Sequence, residues 1–229
     1  MQHYPDITMC LTIGGRPEVL ERTLHSILLQ ASFAQIIAVN DYRDAASSAV
    51  FQRLCPTGLL IVPDGQMGHH PVVDRMYSQV QTPYIFHGED DWFFDDGLDL
   101  NRACSLLNAD PAISSVCLRK IEDFPFSADE KSKIVRGTAA GIDYLRLDGL
   151  HEQWHGYTFN PHLIARETVQ QIGAFSQFKK ERHLSRHLRA QNKFVAFLNP
   201  GVCHHIGEVS MANPPAKSRW EAIRRKIFG

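Results

Sequence analysis

Short apolar runs alternate with stretches of helical periodicity along most of the chain, and no other feature narrows the fold as far. Ile7–Ile13 is a β-prone run of strand length, ended by Gly14-Gly15. Pro17 and Glu18 then open a stretch in which Val19, Leu20, Thr23, Leu24, Ile27 and Leu28 recur with helical period. The pattern repeats. Ile36–Val39 ends at Asn40-Asp41, and Leu59–Val62 ends at Pro63-Asp64-Gly65. Val72, Val73, Met76, Tyr77 and Val80 fit a helix, Tyr84–His87 a strand, and Leu98, Leu100, Ala103, Leu106 and Leu107 another helix. Ser114–Leu118 and Phe194–Leu198 read as later strands, with helices near 167–172 and 180–191. Tyr157–Asn160 is strand-like, and the polar, weakly periodic stretch 122–150 reads as an irregular, mobile flap. Alternation of this kind predicts an α/β fold: a single Rossmann-like domain with a mostly parallel central sheet flanked by helices. The length of 229 residues suits one large domain.

Ligands of such sheets bind beyond the carboxyl ends of the strands. Three predicted strands end in polar residues suited to that place: Thr12, Asn40-Asp41 and Glu89-Asp90-Asp91. The acid triplet is the strongest local signal. Three adjacent carboxylates after an apolar strand repel one another, and burying them is costly without a cation. On an extended chain Glu89 and Asp91 project together and Asp90 turns away. Two hard oxygen ligands suit Mg²⁺ or Mn²⁺. A plain acidic loop accounts for the triplet equally well, but the apolar Tyr84-Ile85-Phe86 before it and Trp92-Phe93-Phe94 after it favour a site.

In this order the motifs resemble those of family 2 glycosyltransferases of the GT-A fold. The opening strand with Arg16-Pro17-Glu18, the Ala38-Val39-Asn40-Asp41 strand, and Thr82–Trp92 as a strand with its acidic metal motif are similar to that family. So are Ile172-Gly173-Ala174-Phe175 on the acceptor side and the late Cys203-His204-His205-Ile206-Gly207. The resemblance implies a hexosyltransferase of glycan or cell-surface polysaccharide synthesis. It implies a UDP- or GDP-type sugar donor, a glycan or lipid-linked acceptor, a Mn²⁺ or Mg²⁺ cofactor and transfer with inversion. It assigns Thr12, Arg16, Asp41, Asp90 and Arg75 to the nucleotide, although Arg75 could equally pair with neighbours in its own helix, and Glu89, Asp91 and His205 to the metal, with His204 beside His205 leaving the choice between the two open. Residues 1–120 become the nucleotide-sugar half and 121–212 the acceptor half. Inverting members carry an acidic pair at the helix near Lys180; only Glu181 stands here, so Glu181 is the candidate base, with a helix-surface carboxylate as the plain reading and His183 as a weaker base. Trp92 and Trp154 are acceptor candidates, each with a buried-core reading beside it, and so is His155, in the mixed polar and aromatic segment 151–155. A nucleotidyltransferase and a non-catalytic nucleotide- or sugar-binding module remain as alternatives.

The charge is unevenly placed. Residues 1–178 carry 13 Lys+Arg against 22 Asp+Glu, whereas residues 179–229 carry 11 against 3. Residues 213–229 predict a basic C-terminal helix with Trp220, Ile223, Ile227 and Phe228 on one side, suited to anionic lipid or to docking on the domain. Nucleic-acid binding has no accompanying stacking motif and is not expected. Five cysteines without close pairing and an N-terminus lacking a basic-apolar leader suggest a cytoplasmic protein, with contact at the inner membrane face through that helix.

Overall fold

The computed structural model describes residues 1–207, so the expected basic helix at 213–229 lies outside the described residues. Eleven strands are described: β1 (Gln2–Ile13), β2 (Ala31–Asn40), β3 (Leu59–Ile61), β4 (Tyr84–Glu89), β5 (Trp92–Phe94), β6 (Ile113–Cys117), β7 (Val135–Ala139), β8 (Ile142–Arg146), β9 (His162–Ala165), β10 (Phe194–Leu198) and β11 (Cys203–His205). The seven helices are α1 (Pro17–Leu28), α2 (Ala45–Leu54), α3 (His69–Tyr77), α4 (Leu100–Ala109), α5 (Ala128–Ser132), α6 (Arg166–Ile172) and α7 (Glu181–Arg189). Nine strands form one sheet in the order β3-β2-β1-β4-β9-β6-β10-β8-β7, and β11 pairs with β5 in a second, small sheet. All strands of the large sheet except β8 and β9 run the same way.

Both faces of the sheet are covered. On β1, Met9, Leu11 and Ile13 join a core with Leu20, Leu24 and Ile27 of α1, Phe51 of α2 and Leu106 of α4. Cys10, one residue out of phase, joins the other face with Val72, Val73 and Met76 of α3 and Leu184 and Leu188 of α7. This is the two-residue alternation of a strand whose sides both pack, which is why its sequence is almost continuously apolar. Among the described residues no helix is long and apolar enough to cross a membrane.

Two expectations are corrected. The stretch 122–150 is no irregular flap: it contains α5, opened by a capping box between Ser127 and Glu130, and the β7–β8 hairpin that closes one edge of the large sheet. Tyr157–Asn160 is not a strand; β9 begins at His162, after the Asn160 amide N–H groups have bonded back to the Thr158 hydroxyl.

The face under α3 holds an unusual polar cluster. His87 and His162 are fully buried, with rings stacked 5.1 Å apart; the Tyr77 hydroxyl lies 2.9 Å from His87 Nδ1 and the Tyr157 hydroxyl 3.3 Å from His162 Nε2. Burial holds the pKa of His87 well below the usual imidazole range and brings that of His162 down to about 4. Both are therefore neutral when folded and take up protons on unfolding below about pH 6.5, so their contribution to stability is lost as pH falls from there towards 4. For His162 alone the loss by pH 4 is about 3 kcal/mol, at about 1.4 kcal/mol per pH unit. Urea melts of the wild type and His162→Gln between pH 7 and pH 4.5 should show a shallower decline in the variant. Parallel declines would contradict the buried neutral pair.

Candidate active site

The acid triplet sits where β4 gives way to β5. Strand geometry ends at Glu89, Asp90-Asp91 form a turn, and Trp92 starts the next strand. The expected alternation of side chains therefore stops at Glu89, and all three acids line one cavity of about 620 Å³ at the carboxyl ends of β1, β2 and β4. Hydroxyls on the inner side of α1 hold the turn. Thr23 Oγ1 donates to the Asp90 carbonyl at 2.9 Å and accepts from Trp92 N at 3.2 Å; Ser26 Oγ accepts from Phe94 N at 3.1 Å.

Arg16, which precedes α1, lies between two of the acids. Its guanidinium pairs with the Asp90 carboxylate and, through Nη1, with Asp91 Oδ2 at 2.9 Å. Gly14 N donates to Asp90 Oδ2 at 2.6 Å. Burial pushes the Asp90 carboxyl up, and Arg16 and the Gly14 N–H work against it. Burial also acts on Asp91, but the His205 hydrogen bond and the Arg16 charge outweigh it and hold that carboxyl below its ordinary value. Glu89 differs. It takes a long hydrogen bond from Trp92 Nε1 at 3.4 Å and has no ion pair among the described residues. Burial, then the neighbouring Asp91 charge, raise its pKa to about 8.

The small second sheet delivers His205. β11 runs antiparallel to β5 with His205 opposite Trp92, which brings His205 Nε2 to 2.9 Å from Asp91 Oδ2. Its neighbour His204 points to Asp95 instead, at 3.6 Å. Gly207 completes this corner. A Cβ there would lie 2.7 Å from Asp91 Oδ2 and 2.9 Å from Arg16 Nη1. Gly207→Ala is thus expected to displace the Asp91–Arg16 pair and cost about 1–3 kcal/mol in a urea melt. An unchanged melting midpoint would show that the corner is loose.

At the β2 end, both oxygens of the Asp41 carboxylate accept backbone N–H groups, from Met67 at 2.7 Å and Gly68 at 2.9 Å. Gly68 has φ 88°, a left-handed value that favours glycine, and it immediately precedes α3. Asp41 thus anchors the loop over the cavity. Thr12 stands between Val39 of β2 and Glu89 of β4 in register. On the far wall Glu181 is the first residue of α7. Burial raises its pKa to about 7, opposed by hydrogen bonds from the Phe159 backbone and the Thr158 hydroxyl.

Thr12, Arg16, Asp41, Glu89, Asp90, Asp91, Trp92, Glu181 and His205 all line this cavity. Four expected residues do not. Arg75 is exposed on the outer side of α3, because Val72, Val73 and Met76 take the inner side. Trp154 is 36 % exposed away from the cavity. His155 packs edge-on against Phe197, and its carbonyl accepts from Val195 N near the start of β10, at the end of the sheet opposite the cavity. Trp92 is a buried wall with its N–H towards Glu89, not an open stacking surface. His183 is likewise outside the lining. The sequence reading missed Arg119, which lines the cavity with Asn160, His69, His70 and Phe159.

Among the described residues no three His, Cys, Asp or Glu side chains are grouped to hold an ion. Arg16 and His205 already engage Asp90 and Asp91. The donor chemistry nonetheless fits a hard divalent cation: Glu89 and Asp91 are both carboxylates facing the cavity, and Glu89 has no cationic partner among the described residues.

A large, mostly co-directional sheet with helices on both faces and a polar cavity at its strand ends is a Rossmann-like architecture. The chain is similar in structure to the mannosyltransferase PcManGT from Pyrobaculum calidifontis, solved in complex with GDP-Man and Mn²⁺, with TM-score 0.62 and 13 % identity. The match covers 97 % of this chain and 62 % of that one, so the chain spans less than two thirds of that protein's length. No protein-family model and no curated protein matches the sequence.

Proposed function

We propose that the chain is a metal-dependent glycosyltransferase that moves a sugar from a nucleoside-diphosphate donor to a hydroxyl acceptor with inversion. One observation carries the reading: the Glu89–Asp91 turn and the Glu181 carboxyl face the same cavity, which also contains Thr12 and Asp41. The GDP-Man and Mn²⁺ bound by the structural neighbour support a nucleotide-sugar donor and a divalent cation, and make GDP-type donors the first to test.

In this reading Thr12 and the Asp41-anchored loop position the nucleoside. Glu89 and Asp91, with His205 beside them, would hold Mn²⁺ or Mg²⁺; when bound, the ion offsets the charge that develops on the departing diphosphate. Arg16 and Gly14 fix the acid turn by engaging Asp90, so Asp90 supports the site rather than the nucleotide itself. Glu181 accepts the proton of the attacking acceptor hydroxyl. A carboxyl with a pKa near 7 is suited to that task, since it is substantially ionised at neutral pH and basic enough to take the proton.

The test is turnover of a panel of UDP-, GDP- and dTDP-sugars, read as release of nucleoside diphosphate with water as slow acceptor. Release from one base class, abolished by EDTA and restored by Mn²⁺, is expected. Pyrophosphate released from a nucleoside triphosphate, or no release with any donor by folded protein, would overturn the proposal.

A further inference from the structure

The cavity contains a second arginine in a different condition from the first. Arg119 follows the end of β6 and is half-buried. Its guanidinium lies 3.9 Å from the Phe124 ring centroid and 5.3 Å from that of Trp92. Nη1 donates to Asn160 Oδ1 at 3.2 Å, while Nε is buried without a hydrogen-bond partner. Arg16 is engaged by two carboxylates, but no described carboxylate lies within ion-pair distance of Arg119. Among the described Asp and Glu residues, Asp123, an exposed residue of the neighbouring turn, acts on it from beyond ion-pair distance. Burial lowers its pKa from the usual arginine range, yet a guanidinium stays charged at any working pH.

A cation taken partly out of water without a counter-ion is costly. Contact with two aromatic rings offsets part of that cost and fixes the plane of the guanidinium. Its remaining N–H groups then lie along the edge of that plane, the geometry that matches a carboxylate or phosphate. Its place in the sheet separates it from the nucleoside end. In the order β2-β1-β4-β9-β6, Asp41 and Thr12 lie on one side of the acid turn, and Arg119 lies two strands beyond it on the other.

We propose that Arg119, steadied by Asn160, forms an oxyanion subsite that selects an acceptor sugar bearing a carboxylate or phosphate. The inference rests on the transferase reading and adds the substrate class: acidic or phosphorylated sugars. It also explains why a cavity rich in carboxylates keeps one cation with no acidic partner.

The experiment compares binding of glucuronate with glucose, and of mannose 6-phosphate with mannose, to the full chain by ligand-observed NMR. GDP, UDP, UDP-glucose and UDP-glucuronate with Mn²⁺ are titrated in parallel. Wild type should prefer each anionic sugar about tenfold or more. Arg119→Gln should lose that preference and keep its nucleotide affinity, and Arg119→Lys should keep part of it. Whichever of the two anions is preferred identifies the group. Equal binding of anionic and neutral sugars by wild type overturns the proposal, even if the Gln variant fails to fold. So does a loss of nucleotide affinity in Arg119→Gln, which would assign the arginine to the diphosphate. Discrimination seen only between UDP-glucuronate and UDP-glucose would place the anion on the donor and overturn the acceptor assignment. Nucleotides that fail to bind while the anionic preference holds would defeat the transferase reading alone.

Discussion

Glu181→Gln is expected to slow transfer by about 10²–10⁴-fold, the usual contribution of a general base, while donor affinity stays within about twofold. The substitution keeps the shape of the side chain and its hydrogen bonds near Phe159 and Thr158 but removes the ability to take a proton. The pH dependence gives the same assignment a second readout. The ionised carboxylate is the active form, so kcat/KM of the wild type should rise with pH through about 7. That acidic limb should disappear in the Gln variant. A variant with full activity and an unchanged profile would remove Glu181 from the chemistry and leave it as a carboxylate at the start of a helix.

The second large effect is on stability. Asp90→Ala removes a carboxylate that is almost wholly buried and accepts from both Arg16 and Gly14 N. Removing one member of a buried pair costs about 3–5 kcal/mol, because the other is left without its partner. Two things moderate the loss here. Asp91 still engages Arg16, and one member of a mutually repelling trio is gone, so the lower end, about 3 kcal/mol, is expected from urea unfolding. Nucleotide binding should weaken as well, since the turn bearing Glu89 and Asp91 then loses the ties that Asp90 makes to Arg16 and Gly14 N. A loss within about 0.5 kcal/mol, the range of ordinary surface changes, would mean the Arg16 pairing holds nothing in place.

Much of this was legible in the residues, for reasons that differ along the chain. β1, β2, β4 and β10 are packed on both faces, so they appear as apolar runs between polar ends. Their ends are where the cavity lies, and Thr12, Asp41, Glu89 and Asp91 could be picked out from that position. The β7–β8 hairpin could not. Val135–Ala139 is an edge strand with most of its residues exposed, and its Gly137 is covered by the Tyr144 ring, which approaches to 2.4 Å of where a Cβ would be. An exposed edge with a glycine under an aromatic carries no alternation to read.

The site residues divide the same way. Arg75 lies in the same helix as the inward-facing Val72 and Met76, and only the packing of α3 shows that it points outward. Trp154 and His155 precede Tyr157 closely in sequence, yet hydrogen bonds to Ser185, Arg189 and Val195 carry their segment to the opposite end of the sheet. Arg119 carried no local signal, because its significance is the lack of an acidic partner, and pairing is a tertiary property. The choice between His204 and His205 needed the register of β11 against β5.

The central claim is that the acid turn binds a nucleoside diphosphate together with a divalent cation. Calorimetric titration of GDP and UDP into the wild type and Glu89→Gln, each with Mn²⁺ and with EDTA, tests it most directly. The wild type is expected to bind one nucleotide only with Mn²⁺, and that binding is expected to be lost or strongly weakened in the variant. Equal nucleotide binding with and without the ion, or a Glu89→Gln protein that binds as the wild type does, would contradict it.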